Sequence, residues 1–439
     1  MSGQTSEVVQ WLADLRLARR DRVRPVRLDR LDGWYAEPGT GDLRHRSGRF
    51  FSVEGVEVRT DAREVADWAQ PIIVQPESGI LGLLVKNFGG VPHFLLQAKM
   101  EPGNINTYQL SPTVQATRSN YGRVHRGRSV PYLEHFVAPR RGRVVFDALQ
   151  SEQGSWFLGK RNRNMIVEVT EDVPVREGFR WLTLERIGEL LALANVVNMD
   201  TRTVLSGVPG DWPAAGRVVP AAPGQPLHPM AELLSRLTEV RANRLLERRR
   251  VPLAEVRGWE RSAERVAHES GRYFSVIGVD VAADGREVTH WTQPMLRPAG
   301  RGLIAFLVQD FGGTPHLLAG FHTEAGSFDV AELGPTVRCR PENYAHLPPD
   351  RQPAFLTEVL SAPPERVLLD VVHSEEGGRF YHAENRYLVV RAEGLPAEVR
   401  GAGGDFVWLT PHQLGELLRH PHHVNVEARN LLATLRFAR

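Results

Sequence analysis

Apolar positions recur with helical spacing at Val8, Val9, Leu12 and Leu15, and again at Leu233, Leu234, Leu237 and Val240. A helix is expected at each place. Short apolar runs punctuated by Gly and Pro follow: Ile80 to Val85, Phe94 to Gln97, Val144 to Ala148 and Met165 to Val169. A second series comprises Leu303 to Val308, His316 to Ala319, Val367 to Val371 and Tyr387 to Val390. Runs of this kind predict strands. A further helix is expected from Thr183, with Leu184, Ile187, Leu190 and Leu191 on one face. Its counterpart starts at Thr410-Pro411, a capping threonine before a first-turn proline. A last short helix carries Asn198 and Arg202, or Asn425 and Arg429, on one face. Strands between flanking helices predict an α+β fold with a mixed sheet.

The two series are copies of one another. Trp68-Ala69-Gln70-Pro71 returns as Trp291-Thr292-Gln293-Pro294 at an offset of 223. The same offset carries Phe88-Gly89-Gly90 onto Phe311-Gly312-Gly313, Ser151-Glu152 onto Ser374-Glu375, and Asn162-Arg163 onto Asn385-Arg386. Gly401 to Gly404 reads as a loop insertion, after which Trp181-Leu182-Thr183 matches Trp408-Leu409-Thr410 at an offset of 227. A repeat this long is a domain and not a solenoid unit. Between the copies, Gly207 to Pro229 holds six prolines and four glycines, the composition of a linker. The expected organisation is a first domain at 1–206, a linker at 207–227 and a second domain at 228–439.

Composition narrows the class. With 42% apolar and 24% charged residues, the chain is neither disordered, collagenous nor a disulfide scaffold. Basic and acidic residues nearly cancel, 54 against 52, and no basic block stands apart, so no nucleic-acid or membrane-surface partner is expected. No apolar run approaches the roughly 18 residues of a membrane span, and no signal peptide opens the chain; the expectation is a soluble, cytoplasmic protein. The single cysteine, Cys339, forms no internal disulfide and is expected to be a small buried residue. Only Lys86, Lys99 and Lys160 among the 54 basic residues are lysines. Such an Arg-rich, Lys-poor chain suggests a GC-rich bacterial genome, and makes each remaining lysine a candidate for chemistry.

Three segments carry candidate chemistry. In Gln97-Ala98-Lys99-Met100-Glu101-Pro102-Gly103-Asn104, alternation puts Gln97, Lys99 and Glu101 on one face. A lysine beside a glutamate suits proton transfer; a surface Lys–Glu pair reads the same way. Its copy keeps Glu324 and Gly326, with His322 in place of Lys99. The second segment runs from Gln150 through Ser151, Glu152 and Gly154 to Lys160 and Asn164. Its copy packs His373, Glu375, Glu376, Tyr381 and His382 after a strand. These are general acid–base side chains on a glycine-rich turn, or a polar hairpin connection. The third runs from Ser111 to Tyr121, with Thr113, Gln115 and Thr117 on one face and Arg118, Asn120 and Tyr121 at the end; its copy has Thr336, Arg338, Arg340, Asn343 and Tyr344. Arginine, amide and aromatic groups together suit a nucleotide diphosphate. There is no Gly-x-Gly-x-x-Gly, Walker sequence, His-Glu-x-x-His or Gly-x-Ser-x-Gly, and no cysteine pair. No cofactor and no metal are therefore expected.

The strings QAKMEPGN, LSPTVQATRSNY, DALQSEQGSWF, KRNRNM and VNMDTRTVLSG in the first copy, with HSEEGGRFYHAENRY and HHVNVEARNLL in the second, resemble the NDP-hexose 2,3-dehydratases of deoxysugar biosynthesis. The likeness covers nearly the whole chain. It implies a substrate, dTDP-4-keto-6-deoxy-D-glucose, that loses water across carbons 2 and 3. The product is an unstable 3,4-diketo-2,6-dideoxy sugar, trapped by an NADPH-dependent 3-ketoreductase in actinobacterial antibiotic pathways. It also implies two tandem Nudix-like domains without the Nudix box, two dTDP-sugar pockets and a homodimer. By chemistry and these motifs, Glu375 or Glu376 would be the base and Tyr381 or His382 the acid. Lys99 would stabilise an enolate, and Glu101 or Glu152 would shuttle the proton. Arg118, Arg163, Arg202, Arg340, Arg386 and Arg429 would meet the diphosphate. Trp68, Tyr121, Trp291 and Tyr344 would stack on thymine or sugar, with Gln97, Asn104, Thr117, Asn120, Arg338 and Asn343 as further contacts. The second copy, with the denser acid–base cluster, is favoured as the catalytic one. A non-catalytic tandem sugar-nucleotide sensor is the main rival; a Nudix-type pyrophosphatase is the weaker one.

Overall fold

Each apolar run lies inside a longer strand, and the strands of each repeat assemble into a mixed sheet in the same order. In a computed structural model, residues 3–62, 65–117, 130–139, 141–210, 212, 224–284, 288–401 and 404–438 are described. In the first repeat the order is Arg143–Ser151, Arg161–Val169, Ile80–Phe88, Val91–Met100, Phe179–Thr183. In the second it is Val367–Ser374, Glu384–Arg391, Gly302–Phe311, Thr314–His322, Gly404–Leu409. The contact between Arg161–Val169 and Ile80–Phe88, like that between Glu384–Arg391 and Gly302–Phe311, is parallel; the other contacts are antiparallel. Short strands Val114–Ala116 and Val337–Cys339 pair antiparallel with Ile80–Phe88 and Gly302–Phe311.

The helices stand where the periodicity puts them. Gly3–Ala18 buries Val8 and Leu12, and Met230–Asn243 buries Leu233, Leu237 and Val240. Leu184–Leu191 is capped by the Thr183 hydroxyl, and Pro411–Leu417 by a reciprocal Thr410/Gln413 capping box. Asn198 and Asn425 cap Met199–Leu205 and Val426–Phe437. Every residue of Val426–Phe437 is buried, because this helix packs between the two repeats and joins their cores into one. At Gly188 a Cβ would lie 2.1 Å from the Phe437 carbonyl oxygen, so only glycine admits that helix.

A second, smaller sheet in each repeat is not foreshadowed by apolar runs. It holds Trp34–Ala36, Leu43–His45, Ser52–Thr60 and Asp67–Val74, or Trp259–Arg261, Arg265–His268, Phe274–Ala282 and His290–Pro298. Its edge strand comes from the other repeat. Leu246–Val251 pairs with Ser52–Thr60, and Arg22–Val26 pairs with Phe274–Ala282, both antiparallel. These exchanged strands read LERRRV and RVRPV, with little apolar face of their own. Cross-strand ion pairs hold them instead, such as Arg24 to Asp280 at 2.9 Å and Arg250 to Glu54. Much of the expected linker at 207–227 lies outside the described residues.

Candidate active site

Two cavities of similar size repeat the duplication. We call the one built on the first repeat the N-cavity, about 630 Å³, and the one built on the second the C-cavity, about 530 Å³. Each is closed by the other repeat. Trp291, Thr292, Gln293, Glu376, Gly378 and Arg379 of the second repeat line the N-cavity. Trp68, Ala69, Gln70, Gln153, Ser155 and Trp156 of the first line the C-cavity. The Trp-x-Gln-Pro segments are built alike. The Trp291 indole donates to Gln293 Oε1 at 2.9 Å, and Gln293 Nε2 donates to the Gly378 carbonyl at 2.6 Å. Trp68, Gln70 and Ser155 repeat this at 2.8 and 2.7 Å.

The Ser-Glu turns cross between the cavities, so neighbouring residues serve different sites. Glu152 faces the N-cavity and Gln153 the C-cavity; Glu375 faces the C-cavity and Glu376 the N-cavity. Close backbone approach holds this crossing. The Gly103 amide donates to the Gly377 carbonyl at 2.7 Å, and a Cβ on Gly103 would sit 1.8 Å from the Phe380 carbonyl oxygen. Gly326 repeats the arrangement, with a Cβ 1.6 Å from the Phe157 oxygen. Buried Arg202 donates to the Val197 and Ser374 carbonyls, at 2.6 and 2.7 Å. Arg429 reaches Val424 at 2.7 Å, and also the Ser151 carbonyl. Each arginine thereby fixes the residue before a Ser-Glu glutamate.

In the N-cavity, Lys99, Glu101, Glu152, Lys160, Asp200 and Glu376 converge. Lys99 donates to the Gln115 carbonyl at 2.9 Å, and Gln115 Nε2 donates to Glu101 Oε1 at 2.6 Å. Asn162 Nδ2 donates to Glu152 Oε1 at 2.7 Å. Glu376 accepts backbone N–H bonds from Gly378 at 3.0 Å and Arg379 at 2.7 Å. Burial, aided by the charge of Glu101, pushes the Glu376 carboxyl up to about 7. Burial raises Glu152 against the pull of Arg429 and Lys160, and lowers the Lys160 ammonium against the pull of Glu152. A carboxyl raised towards neutrality on a cavity wall, as Glu376 is, suits proton transfer.

The C-cavity holds matched acids in a different state. Arg338, at the place of Gln115, pairs with Glu324 and, at 2.8 Å, with Glu427, all buried or nearly so. Glu375 accepts from Gln153 at 2.8 Å, Asn385 at 2.6 Å and the Tyr387 hydroxyl at 2.8 Å. Arg340 lies over the Trp156 ring at 4.9 Å, and burial pulls its guanidinium down to about 10.

Several expectations are corrected here. Tyr381 and His382 line neither cavity; their rings stack on each other at 4.0 Å, and the His382 amide is tied to the Gly103 carbonyl. The acid–base cluster of the second copy is split, because its turn faces two sites. Arg202 and Arg429 are spent on carbonyls, and neither lines a cavity. Arg163 and Arg386 pair with Asp147 and Asp370 on the sheet surface, at 2.7 and 2.8 Å, away from both cavities. Gln97 donates to the Pro112 carbonyl and Asn104 to the Thr107 carbonyl, also outside the lining. Thr117 and Trp291 line the N-cavity, and Trp68, Arg338, Arg340, Asn343 and Tyr344 the C-cavity. Cys339 is half-buried and lines the C-cavity. Arg118, Asn120 and Tyr121 lie outside the described residues. Asp200, Gln293 and Arg379 are cavity residues that the motif reading did not single out as candidate chemistry. Among the described residues no group of three or more His, Cys, Asp or Glu is placed to hold a metal ion, and no helix is long and apolar enough to cross a membrane.

A duplicated α+β chain whose cavity gathers acid–base groups fits what the comparisons find. The chain belongs to the NDP-hexose 2,3-dehydratase family, whose model matches residues 5–208 and 230–435. Dehydratases are lyases, and this chain is one. It is 54% identical to the dTDP-4-dehydro-6-deoxy-alpha-D-glucopyranose 2,3-dehydratase of Streptomyces violaceoruber, over 97% of this chain and 96% of that protein. The Amycolatopsis orientalis protein of the same name is 47% identical over 99% of this chain and 91% of its own. A solved structure described as an ADP compounds hydrolase aligns with 39% of this chain and 88% of that chain, at 17% identity and a TM-score of 0.27, too low to carry an argument.

Proposed function

We propose that the chain removes water across carbons 2 and 3 of dTDP-4-keto-6-deoxy-D-glucose, and that it does so in the N-cavity. The observation that carries the placement is the set of Lys99, Glu101, Glu152, Asp200 and Glu376 facing one space. The relatives' names support the substrate. The ketone at carbon 4 acidifies the hydrogen on carbon 3. Glu376, anchored by two backbone amides, takes that proton as its ionised form. The Lys99 ammonium balances the developing enolate. The electron pair then closes the bond between carbons 2 and 3 as the carbon 2 hydroxyl departs. The resulting enol tautomerises to the 3,4-diketo-2,6-dideoxy sugar, which an NADPH-dependent 3-ketoreductase consumes. Trp291 is placed to stack on the base or sugar. The reading extends to Nudix-like repeats, a second sugar-nucleotide pocket in the C-cavity, a homodimer, a cytoplasmic location and an antibiotic pathway, all of which rest on the family resemblance.

The test is a coupled assay with the sugar nucleotide, a 3-ketoreductase and NADPH, with and without EDTA. NADPH consumption that requires this chain, survives EDTA and is lost in Glu376→Gln is the expected result. Saturable binding without consumption leaves a non-catalytic sensor. EDTA-sensitive release of dTMP is the outcome for a pyrophosphatase.

A further inference from the structure

Elimination needs a proton at the departing hydroxyl as well as a base at carbon 3, and Tyr381 and His382 do not line the N-cavity. Six carboxyls line that cavity, those of Asp32, Glu77, Glu101, Glu152, Asp200 and Glu376. Three are held by N–H donors: Glu376 by Gly378 and Arg379, Glu101 by Gln115, and Glu152 by Asn162. An N–H donor suits a carboxyl that works as an acceptor. Asp200 differs. It is 4% exposed, faces the cavity, and takes part in no hydrogen bond or ion pair among the described residues. Its match in the second repeat, Glu427, is held by Arg338 at 2.8 Å. In the first repeat Gln115 replaces that arginine and gives its amide to Glu101, so Asp200 is left facing the cavity alone. Buried beside other carboxyls and without a donor, it is where a proton rests. Burial first, then the charges of Glu101, Glu152 and Glu376, push its carboxyl well above the ordinary range.

We propose that Asp200 is the catalytic acid that protonates the departing carbon 2 hydroxyl. This rests on the dehydratase reading above. The bond between carbon 2 and oxygen breaks with its electron pair going to oxygen, which takes the Asp200 proton and leaves as water. In the tautomerisation that follows, the proton held by Glu376 goes to carbon 2 and the enol O–H proton returns to Asp200. Both groups are restored, and the net change is loss of one water.

The test compares two leaving groups in the full chain, using the natural substrate and its 2-deoxy-2-fluoro analogue. Fluoride leaves with far less need of a proton than hydroxide. Asp200→Asn is expected to slow loss of water by about 100-fold or more, to slow loss of fluoride only a few-fold, and to keep wash-in of deuterium at carbon 3 from heavy water. Water loss at a wild-type rate overturns the assignment. So does an equal loss on both substrates with binding intact, which would place Asp200 at the carbon 3 step. If Asp200→Asn does not fold, Asp200→Glu carries the same ratio test: hydroxide loss falls more than fluoride loss, and equal rates overturn the proposal. A wild-type chain that eliminates from neither substrate sinks the dehydratase reading instead.

Discussion

The N-cavity and the C-cavity share elements, register and a closing Trp-x-Gln segment, yet their acids are partnered differently. At matched places the first has Gln115, Thr117, Lys160 and Glu376, and the second has Arg338, Arg340, Ala383 and Gln153. One of these arginines, Arg338, pairs with Glu324 and Glu427 and holds them in a fixed ion-pair network. A duplicated fold thus keeps two pockets while chemistry depends on which carboxyls are left without a permanent counter-charge. The largest effect should come from moving that arginine. Gln115→Arg would reach Glu101 and Asp200 as Arg338 reaches Glu324 and Glu427, and should lower turnover by about 10²- to 10⁴-fold in a chain that still folds. Single-turnover rates beside a thermal melt would check it. The mirror change, Arg338→Gln, leaves buried carboxylates unpaired and should cost about 3–5 kcal/mol, with turnover per folded molecule little changed.

A pH series separates the cavities next. In the proposed mechanism Glu376 acts ionised, and burial pushes its carboxyl up to about 7, among Glu101, Glu152, Asp200, Lys160 and Arg379. Its contribution to kcat/KM should climb about tenfold per pH unit below 7 and level off above. Stability runs the other way. A carboxyl raised from 4.5 to about 7 contributes stability that is fully present below 4.5 and lost as pH rises through 7, on the order of 3 kcal/mol. The molecule gains activity over the range where this group destabilises it. Denaturation midpoints across pH 4 to 8, roughly the span of the two titrations, should slope down in the wild type and flatten in Glu376→Gln. A wild-type chain with no such slope would remove Glu376 from the base role.

The helices, the larger sheet of each repeat and the duplication were legible because apolar periodicity and a constant offset survive in sequence. The smaller sheet was not, because its exchanged strands are arginine-rich and are held by ion pairs to the other repeat. Nothing local in RVRPV says that it pairs 250 residues away. The cavity glutamates were legible as residue types, but a single turn facing two sites cannot be read from spacing, so Glu375 and Glu376 looked equivalent. Of the three lysines that scarcity marked alike, Lys99 and Lys160 line the N-cavity, while Lys86 forms a surface pair with Asp172 at 2.6 Å. Asp200 was in view inside VNMDTRTVLSG. Its match with the acid Glu427 at the offset of 227 is a signal that could have marked it, and the difference between Gln115 and Arg338 gives that signal its meaning.

Two smaller effects sharpen the comparison. Gly103→Ala and Gly326→Ala press a Cβ on the Phe380 and Phe157 carbonyls alike, so each should cost about 1–3 kcal/mol of stability. Gly103→Ala moves the turn that carries Glu376 and Gly326→Ala the turn that carries Glu152, both of which face the N-cavity. With Glu376 as the base, Gly103→Ala should lower kcat more than Gly326→Ala at a matched stability loss, and the reverse order would move the base role to Glu152.

The smallest effect concerns the surface arginines. Arg163 and Arg386 are partly exposed, each in a two-point pair with Asp147 or Asp370, and neither lines a cavity. Exposed pairs of this kind contribute about 0–1 kcal/mol. Arg163→Ala and Arg386→Ala should therefore shift the melt slightly and by similar amounts, and should leave KM for the sugar nucleotide unchanged. A diphosphate contact would instead appear as a raised KM in one variant and not the other, because the two arginines stand on the sheets of different cavities. That asymmetry would reveal which cavity the substrate enters, even with no change at any acid or base.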